Sequence, residues 1–508
     1  MIKRALISVF DKTGLDKLGE ALHKAGVEMY ASGGTAAFLK KSEFNVKELE
    51  TITGFSDMLE GRVKTLHPMV FGGILADPNI ELHAQDIKKF NIQKFDLVVV
   101  NLYPFEQKVI SSNLTPHEAI EWIDIGGSAL IRASAKNFEN VAILISPDDY
   151  SAMIEYLNTN AEIPYDFRMK LAHKAFEFTS YYDALVCSYF AKGATAFPTY
   201  LSLPLKKVHE PRYGENPHQK SCIYRQIAYE GTNILDAEIL HGKEMSFNNY
   251  IDVQAAHDLV SELPPGACAI IKHTNPCGAA IGSTPLEAYK TALATDPDAA
   301  FGGIIAFNCE IDAPAAQEIS ALFTECIIAP SYSDDALALL KTKKNVRLLK
   351  LIEHTPKNNS WDIRRVKGGV LVQEWDAKPE DQWKIVTDRQ PTESEKKALT
   401  FAWTLVKHIK SNAIVFTTDT RTIAVGAGQM SRVDSVRLAK MKARASLKNT
   451  VCASDAFFPF KDNVEEIAQA GATAIIQPGG SIKDQEVIQE ANRQGLTMIF
   501  TGARHFKH

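Results

Sequence analysis

In Cys268-Ala-Ile-Ile-Lys272-His273-Thr274-Asn275-Pro276-Cys277-Gly278, a cation and an imidazole follow directly on an apolar run. Apolar residues without alternation read as a buried strand, and ligands in open α/β sheets sit just beyond the carboxyl ends of the strands. Lysine there supplies positive charge, and the histidine beside it is a proton acceptor near neutral pH. Asn-Pro-Cys-Gly is expected to turn the chain sharply and leave Lys272 and His273 at the lip of a sheet. A strand that merely ends in polar residues accounts for the same letters equally well.

Other stretches suit anions. Ser32-Gly33-Gly34-Thr35 falls between an expected strand and an expected helix, where glycines expose backbone N–H groups and the helix start adds partial positive charge. A plain helix cap is the competing account. In Arg62-Val63-Lys64-Thr65-Leu66-His67-Pro68 the two cations alternate with apolar residues, so an extended backbone would point both into one site; a solvated surface strand would look the same. Asp124-Ile125-Gly126-Gly127-Ser128 opens a further helix whose far end carries Lys136. Three such turns favour a phosphorylated ligand. Later, His209-Glu-Pro-Arg212-Tyr213-Gly214-Glu215-Asn216-Pro217-His218-Gln219 reads as a surface or binding loop. Gly426-Ala427-Gly428-Gln429-Met430-Ser431-Arg432 leads from strand to helix and suits a phosphate or carboxylate. Ala453-Ser454-Asp455-Ala456-Phe457-Phe458-Pro459-Phe460-Lys461-Asp462 mixes aromatics with acids, as a flat heteroaromatic ring would require.

The elements that must hold these residues follow from period and punctuation. Strands are expected at 6–10, 27–31, 97–100 and 142–145, alternating with helices in the βα pattern of a doubly wound sheet. Leu15, Leu18, Leu22 and Ala25 share one helical face that Gly26 stops. A Gly- and Pro-bearing stretch at 192–207 looks like a linker. The second half carries a faint internal echo: helix, strand 269–271, segment 279–282 and helix, then helix, strand 413–416, segment 423–426 and helix, which suggests two related α/β subdomains.

Bulk properties narrow the class. A chain of 508 residues exceeds one core and should form two or three domains. With 45% hydrophobic and 23% charged residues and a net charge of −5, a globular protein is expected, with no nucleic-acid partner. Seven cysteines without a Cys-x-x-Cys pair argue against a disulfide framework or a cysteine-rich zinc site. The apolar run at 5–10 is too short for a signal peptide, and nothing approaches the ~20 residues of a membrane span. No membrane partner and a cytoplasmic location are therefore expected. Gly-x-Gly-x-x-Gly, Walker A and His-Glu-x-x-His motifs are missing. Pro276-Cys277 begins a deaminase signature that fails at Ala280, so a zinc deaminase is not expected.

Together these motifs resemble the bifunctional purine biosynthesis proteins that join IMP cyclohydrolase to AICAR transformylase. The resemblance covers nearly the whole chain and rests on Ser8-Val-Phe-Asp11-Lys12-Thr13-Gly14, Ser32-Gly-Gly-Thr35, Gly61-Arg-Val-Lys-Thr-Leu-His-Pro68, Asp124-Ile-Gly-Gly127, Arg212-Tyr-Gly-Glu-Asn-Pro-His-Gln219, Lys272-His273 and Gly426-Ala-Gly-Gln429. Two departures stand out: Phe10 replaces a frequent Ser, and Glu325-Cys326 stands where some members have Asp-Gly.

The resemblance implies an α/β chain with a methylglyoxal-synthase-like cyclohydrolase domain at 1–195 (core about 1–146), a linker at 196–207 and a transformylase domain at 208–508. The last would hold two cytidine-deaminase-like subdomains without zinc, split near 370–390. It implies a homodimer with no metal and no tightly bound cofactor, 10-formyltetrahydrofolate as co-substrate, and AICAR and FAICAR as small-molecule substrates. A monovalent cation, K+, is the one ion it raises. For formyl transfer it implies His273 as base, Lys272 as electrostatic stabiliser and Asn412 as orienting group, with Arg212, Tyr213, Arg432, Phe457 and Asp462 at the nucleotide and folate. For ring closure it implies Ser32, Gly33, Gly34, Thr35, Arg62 and Thr65 at the phosphate and Lys64, Tyr103, Asp124 and Lys136 near the reacting groups. Further substrate contacts are expected from Ser8, Lys12, Asn101, Gly126, Gly127, Phe301, Gly302, Glu325, Gln429 and Arg504. A nucleotide sensor and a methylglyoxal-synthase-like lyase are the rivals; the Lys272-His273 strand end opposes the first, and the additional C-terminal 300 or so residues oppose the second.

Overall fold

The computed structural model describes residues 2–55, 58–112, 114–191, 196–227, 229, 231–352, 361–377 and 383–508. Its backbone divides into two compact units, Met1–Lys206 with Gln226–Ala228, and Lys207–Arg225 with Tyr229–His508. The division falls at the end of the expected linker, where Leu205–His209 forms a short strand paired with Ile223–Gln226. Residues 192–195 of the Gly- and Pro-bearing stretch, and 378–382 of the expected subdomain split, lie outside the described residues.

In the first unit, strands without polar alternation become the centre of a sheet covered on both faces. Ala5, Leu6 and Ile7 of Arg4–Val9 are fully buried, as are Leu97, Val98 and Val99 of Leu97–Asn101. The sheet is parallel, in the order Val46–Glu48, Glu28–Ala31, Arg4–Val9, Leu97–Asn101, Ala142–Leu144. The short edge strand Val46–Glu48 escaped the sequence reading because only Val46 of its three residues is buried. Helix Leu15–Lys24 ends as expected: Gly26 takes φ +70°, its N–H donates to the His23 carbonyl, and the Val27 N–H donates to that of Leu22. Only glycine adopts that closing conformation without strain. Strand order reverses between Arg4–Val9 and Leu97–Asn101, so a crevice opens at their carboxyl ends.

The second unit shows that the faint echo is a structural duplication. Its first sheet runs Asn275–Ile281, Ala267–Lys272, Ile304–Phe307, Cys326–Ala329, Arg347–Lys350, Glu238–His241. Its second runs Thr422–Gly426, Ile414–Thr417, Val451–Ser454, Ala474–Gln477, Thr497–Phe500, Lys384–Ile385, with the same alternation of parallel and antiparallel neighbours. Neighbouring residues of one strand serve different cores: Ile271 faces a cluster shared by both sheets, and Ile270 faces an outer one. The shared cluster draws Val253 and Leu259 from helix Phe247–Ser261 and Leu399, Trp403 and Val406 from helix Glu393–Lys407. The two outer strands also meet, since the Thr422 hydroxyl donates to the Ala279 carbonyl at 3.0 Å and accepts from the Ala279 N–H at 2.8 Å. No helix among the described residues is long and apolar enough to cross a membrane.

Two local expectations are corrected. Residues 62–65 are a turn after the short 3-10 helix Leu59–Gly61, with Arg62 in the right-handed region, so no extended strand aims Arg62 and Lys64 together. In the second unit the sharp turn is His273-Thr274 itself, and Asn275-Pro276-Cys277-Gly278 already belongs to the returning strand, with a bulge between Pro276 and Gly278. Two-residue hairpin turns with both φ values positive match the right-handed twist of the flanking strands, and His273 and Thr274 take φ +50° and +62°.

Candidate active sites

The first cluster lies at the crevice of the parallel sheet. Ser8 and Val9 stand in register with Val100 and Asn101, which brings Ser8 and Asn101 to the strand ends together. Asn101 Oδ1 accepts from the backbone N–H groups of Phe10 and Asp11 at 2.6 and 2.9 Å, and its Nδ2 donates to the Asp11 carbonyl at 2.9 Å. This amide therefore fixes the loop after the first strand. Lys12 Nζ donates to the Phe10 carbonyl at 3.2 Å, and Ser8 Oγ lies 3.4 Å from Ser32 Oγ.

Ser32 holds the N-cap position of helix Gly33–Lys41 in extended conformation, without a side-chain bond to the helix. A Cβ on Gly33 would stand 2.7 Å from Lys64 Nζ, whereas one on Gly34 would meet nothing within 4 Å. The helix start thus opens on free space with an ammonium group alongside, which suits an anion. Lys64's neighbour does the equivalent at helix Ile125–Lys136, where a Cβ on Gly126 would stand 2.6 Å from Thr65 Oγ1. One turn therefore serves two helix starts. Asp124 caps the second: its Oδ1 accepts from the Gly127 N–H at 2.6 Å, and its own N–H donates to the Tyr182 hydroxyl at 2.8 Å. Burial pushes the Asp124 carboxyl up, while N–H donors of Gly127 and Tyr103 pull it down. Burial, with the Asp124 charge second, pushes the Tyr103 phenol up, so it is a protonated donor at neutral pH.

Three residues behave differently from their expected roles. The Thr35 hydroxyl donates to the Val9 carbonyl and accepts from the Val9 N–H, both at 3.1 Å, and the Thr35 N–H donates to the Ser32 carbonyl. It pins the helix start to the strand and has no donor left for phosphate. Arg62 lies at the surface, paired with Glu121 at 2.5 Å. Lys136 ends the helix that Asp124 begins, about 18 Å away at 1.5 Å per residue. It lines a separate cavity of about 750 Å³ with Phe71, Phe138, Met169 and His173, and so does not join the cluster. Phe10 and Trp122, which sequence reasoning left without a role, pack edge-to-face with Tyr103 at centroid distances of 5.6 and 6.4 Å.

The second cluster surrounds the His273-Thr274 turn. Lys272 Nζ donates to the Phe301 carbonyl at 2.5 Å, and a Cβ on Gly302, at φ +71°, would stand 3.4 Å from that nitrogen. The Phe301 ring, 57% exposed, rests 5.3 Å from that of Phe323. Glu325 is tied to Arg347 at 2.6 Å, a partner no local sequence signal indicated. The loop at 209–219 folds on itself, with the Gly214 N–H donating to the Gln219 carbonyl at 2.6 Å. Asn248 fastens it to helix Phe247–Ser261 through the Glu215 carbonyl at 3.2 Å. Among the described residues no hydrogen bond joins Arg212 or Tyr213 to Lys272, His273 or Arg432. Burial pushes the Cys277 thiol up to about 12, which removes it as a nucleophile.

In the duplicate, the equivalent strand is entered through Ser411 and Asn412. Asn412 Oδ1 accepts from Arg432 at 2.8 Å, and its Nδ2 donates to the Met430 carbonyl at 3.1 Å. Arg432 forms a buried ion pair with Asp455, which also accepts from Ser411 Oγ and from the Ala413 N–H at 3.1 Å. Gln429 contributes its carbonyl to the Asn412 N–H at 3.2 Å. Gly426 is explained by packing, since a Cβ there would stand 1.9 Å from the Ser435 carbonyl, and not by an approaching anion. Asn412, Arg432, Phe457, Phe460, Asp462 and Phe506 line a cavity of about 390 Å³. The Arg504 guanidinium stacks 4.6 Å over the Phe506 ring at its rim. The two turns are joined, because Asn275 Oδ1 accepts from the Lys410 N–H at 2.9 Å.

Residues 134–442 match the AICARFT/IMPCHase bienzyme, and residues 14–129 match the MGS-like domain. The chain is 45% identical over 513 residues to the bifunctional purine biosynthesis protein PurH of Caldicellulosiruptor saccharolyticus, covering 100% of both. It belongs to the AICARFT/IMPCHase bienzyme family. The PurH proteins of Aquifex aeolicus (48% over 511 residues, 99% of this chain and 100% of the relative) and Chloroflexus aurantiacus (47% over 515 residues, 100% and 99%) are similar along the same length. The MGS-like match falls within the first unit.

Proposed function

We infer that the chain carries out two consecutive steps of purine synthesis. It transfers the formyl group of 10-formyltetrahydrofolate to the 5-amino group of AICAR, and it then closes the resulting FAICAR to IMP with loss of water. Full-length likeness to PurH proteins carries this reading. Incubating the protein with AICAR and 10-formyltetrahydrofolate and following IMP tests it; FAICAR accumulation without IMP, or no product, would refute it in part or whole.

The AICAR amine is a weak nucleophile because its lone pair is delocalised into the imidazole. Formyl transfer therefore needs a base for its proton and a charge to stabilise the developing oxyanion. His273 is the base, exposed on its turn, and Lys272 is the cation. The cavity that Asn412, Arg432, Phe457 and Asp462 line takes the nucleotide or folate, and Arg212 and Tyr213 are assigned to the same substrates on the family resemblance.

Ring closure needs positioning and charge neutralisation only. The start of helix Gly33–Lys41, with Lys64, holds the FAICAR phosphate, while Tyr103 and Asp124 lie toward the reacting groups. Arg62 reaches the same phosphate once it leaves Glu121. Arg62→Ala should lower cyclohydrolase kcat/KM on added FAICAR by about 1.5–3 kcal/mol, the worth of a hydrogen bond to a charged group, and spare AICAR formylation. An unchanged kcat/KM removes Arg62 from the site. The exposed Arg62–Glu121 pair adds little stability, so the change is a clean probe.

Homodimerisation, a cytoplasmic location and the domain limits 1–195 and 208–508 belong to the same proposal; sedimentation of the intact chain tests the first. The chain lacks the deaminase ligand pattern at Ala280, so exhaustive chelation of divalent ions should leave formyl transfer intact, and loss restored by zinc would contradict this. A requirement for K+ belongs to the same proposal; turnover in potassium against tetramethylammonium buffer tests it.

A further inference from the structure

We propose that Asp252 is a positioning residue for formyl transfer: its carboxylate holds the His273-Thr274 turn in the conformation that presents Lys272 and His273. The inference rests on the roles given to those two residues above. Turns with both central φ values positive favour Asn-Gly or Asp-Gly. Here the positions hold a histidine and a β-branched threonine, at φ +50° and +62°, a conformation such side chains resist. Something outside the turn must hold it. Asp252 Oδ1 accepts from the Thr274 N–H at 2.7 Å, and its Oδ2 accepts from the His273 N–H at 3.3 Å. Each carboxylate oxygen thus serves one of the two strained residues.

The holder is itself rigid. Asp252 sits in helix Phe247–Ser261, whose start is fixed by a capping box between Ser246 and Asn249 and whose Val253 and Ala256 are fully buried. Without the carboxylate both amides lose their acceptor and the threonine has no reason to stay left-handed. Lys272 and His273 would then shift against the substrate. Displacements of about 1 Å are enough to cost on the order of 10²-fold in rate.

The test uses full-length Asp252→Ala and the isosteric Asp252→Asn, which offers one acceptor and sets a donor against the other amide. Both should lose roughly 10²-fold in transformylase kcat, with KM for AICAR and folate little changed and cyclohydrolase turnover of added FAICAR intact. Adding Thr274→Gly should restore about tenfold or more, because glycine takes positive φ without steric cost. A residue that only stabilised its helix would not respond to that second change. Full kcat in Asp252→Asn, or a loss that Thr274→Gly leaves unrepaired, overturns the proposal. His273→Ala measured in parallel separates the two failures. If it retains formyl transfer, the assignment of the base is wrong; if it loses it while Asp252→Asn does not, only the positioning role falls.

Discussion

His273→Ala should lose about 10²–10⁴-fold in transformylase turnover, the usual worth of a positioned acid–base group. The imidazole is exposed at the tip of a hairpin whose strands are buried, so its removal costs little in packing. Lys272→Ala should lose a comparable factor through missing oxyanion stabilisation. The double variant should cost less than the product of the two, since groups acting on one transition state are not additive. Both single variants should still convert added FAICAR to IMP, because ring closure is assigned to the first unit. Separate assays of the two activities on each folded variant decide the matter. A joint fall would mean the split assignment is wrong, and no fall would reduce Lys272-His273 to the polar end of a strand.

The second large effect is on stability. Asp455 is fully buried and Arg432 nearly so, and the carboxylate also accepts from Ser411 Oγ and the Ala413 N–H. Asp455→Ala leaves a guanidinium buried without its counter-charge, which typically costs about 3–5 kcal/mol. That is a large part of the 5–15 kcal/mol typical of folded domains. Formyl transfer should fall as well, because the same guanidinium holds Asn412 Oδ1. Arg437→Ala is the control: its pairs with Asp434 and Glu466 are solvent-exposed on the arginine side and worth at most about 1 kcal/mol. Denaturant unfolding of the three proteins gives the comparison. If Asp455→Ala unfolds at the wild-type concentration, the buried pair is not what organises this end of the sheet.

Local chemistry was legible in the letters, and long-range pairing was not. Buried parallel strands betray themselves by unbroken apolar runs, so 6–10 and 97–100 could be placed closely. Asp124 is readable as a cap because capping acts within three residues, whereas Ser32 holds the N-cap position without a side-chain bond to its helix. Thr35 looked like a phosphate donor until its partner, 26 residues away, was known. Lys136 reads in the letters, as in the structure, as the far end of the helix that Asp124 opens, so its place near the reacting groups rests on the resemblance alone. Asp252, Arg347 and Asp455 act on groups 21 or more residues away in the chain, and nothing beside them marks that. The extended reading of 62–64 failed because alternation across three residues fits a turn as well as a strand.

The core between the two sheets of the second unit has a bearing on ancestry and on engineering. A sheet flanked by its own helices on both sides is self-sufficient, but here Leu399, Trp403 and Val406 of one copy and Val253 and Leu259 of the other fill a single interior. Each inner helix packs on the sheet of its own copy, and the apolar cluster between them joins the two. The two copies repeat one topology yet share one interior, so neither is a unit of folding by itself. A fragment cut between the copies would bare an apolar slab where its sibling belonged and would be expected to aggregate. Recombining copies between relatives would succeed only where both halves of that interior travel together.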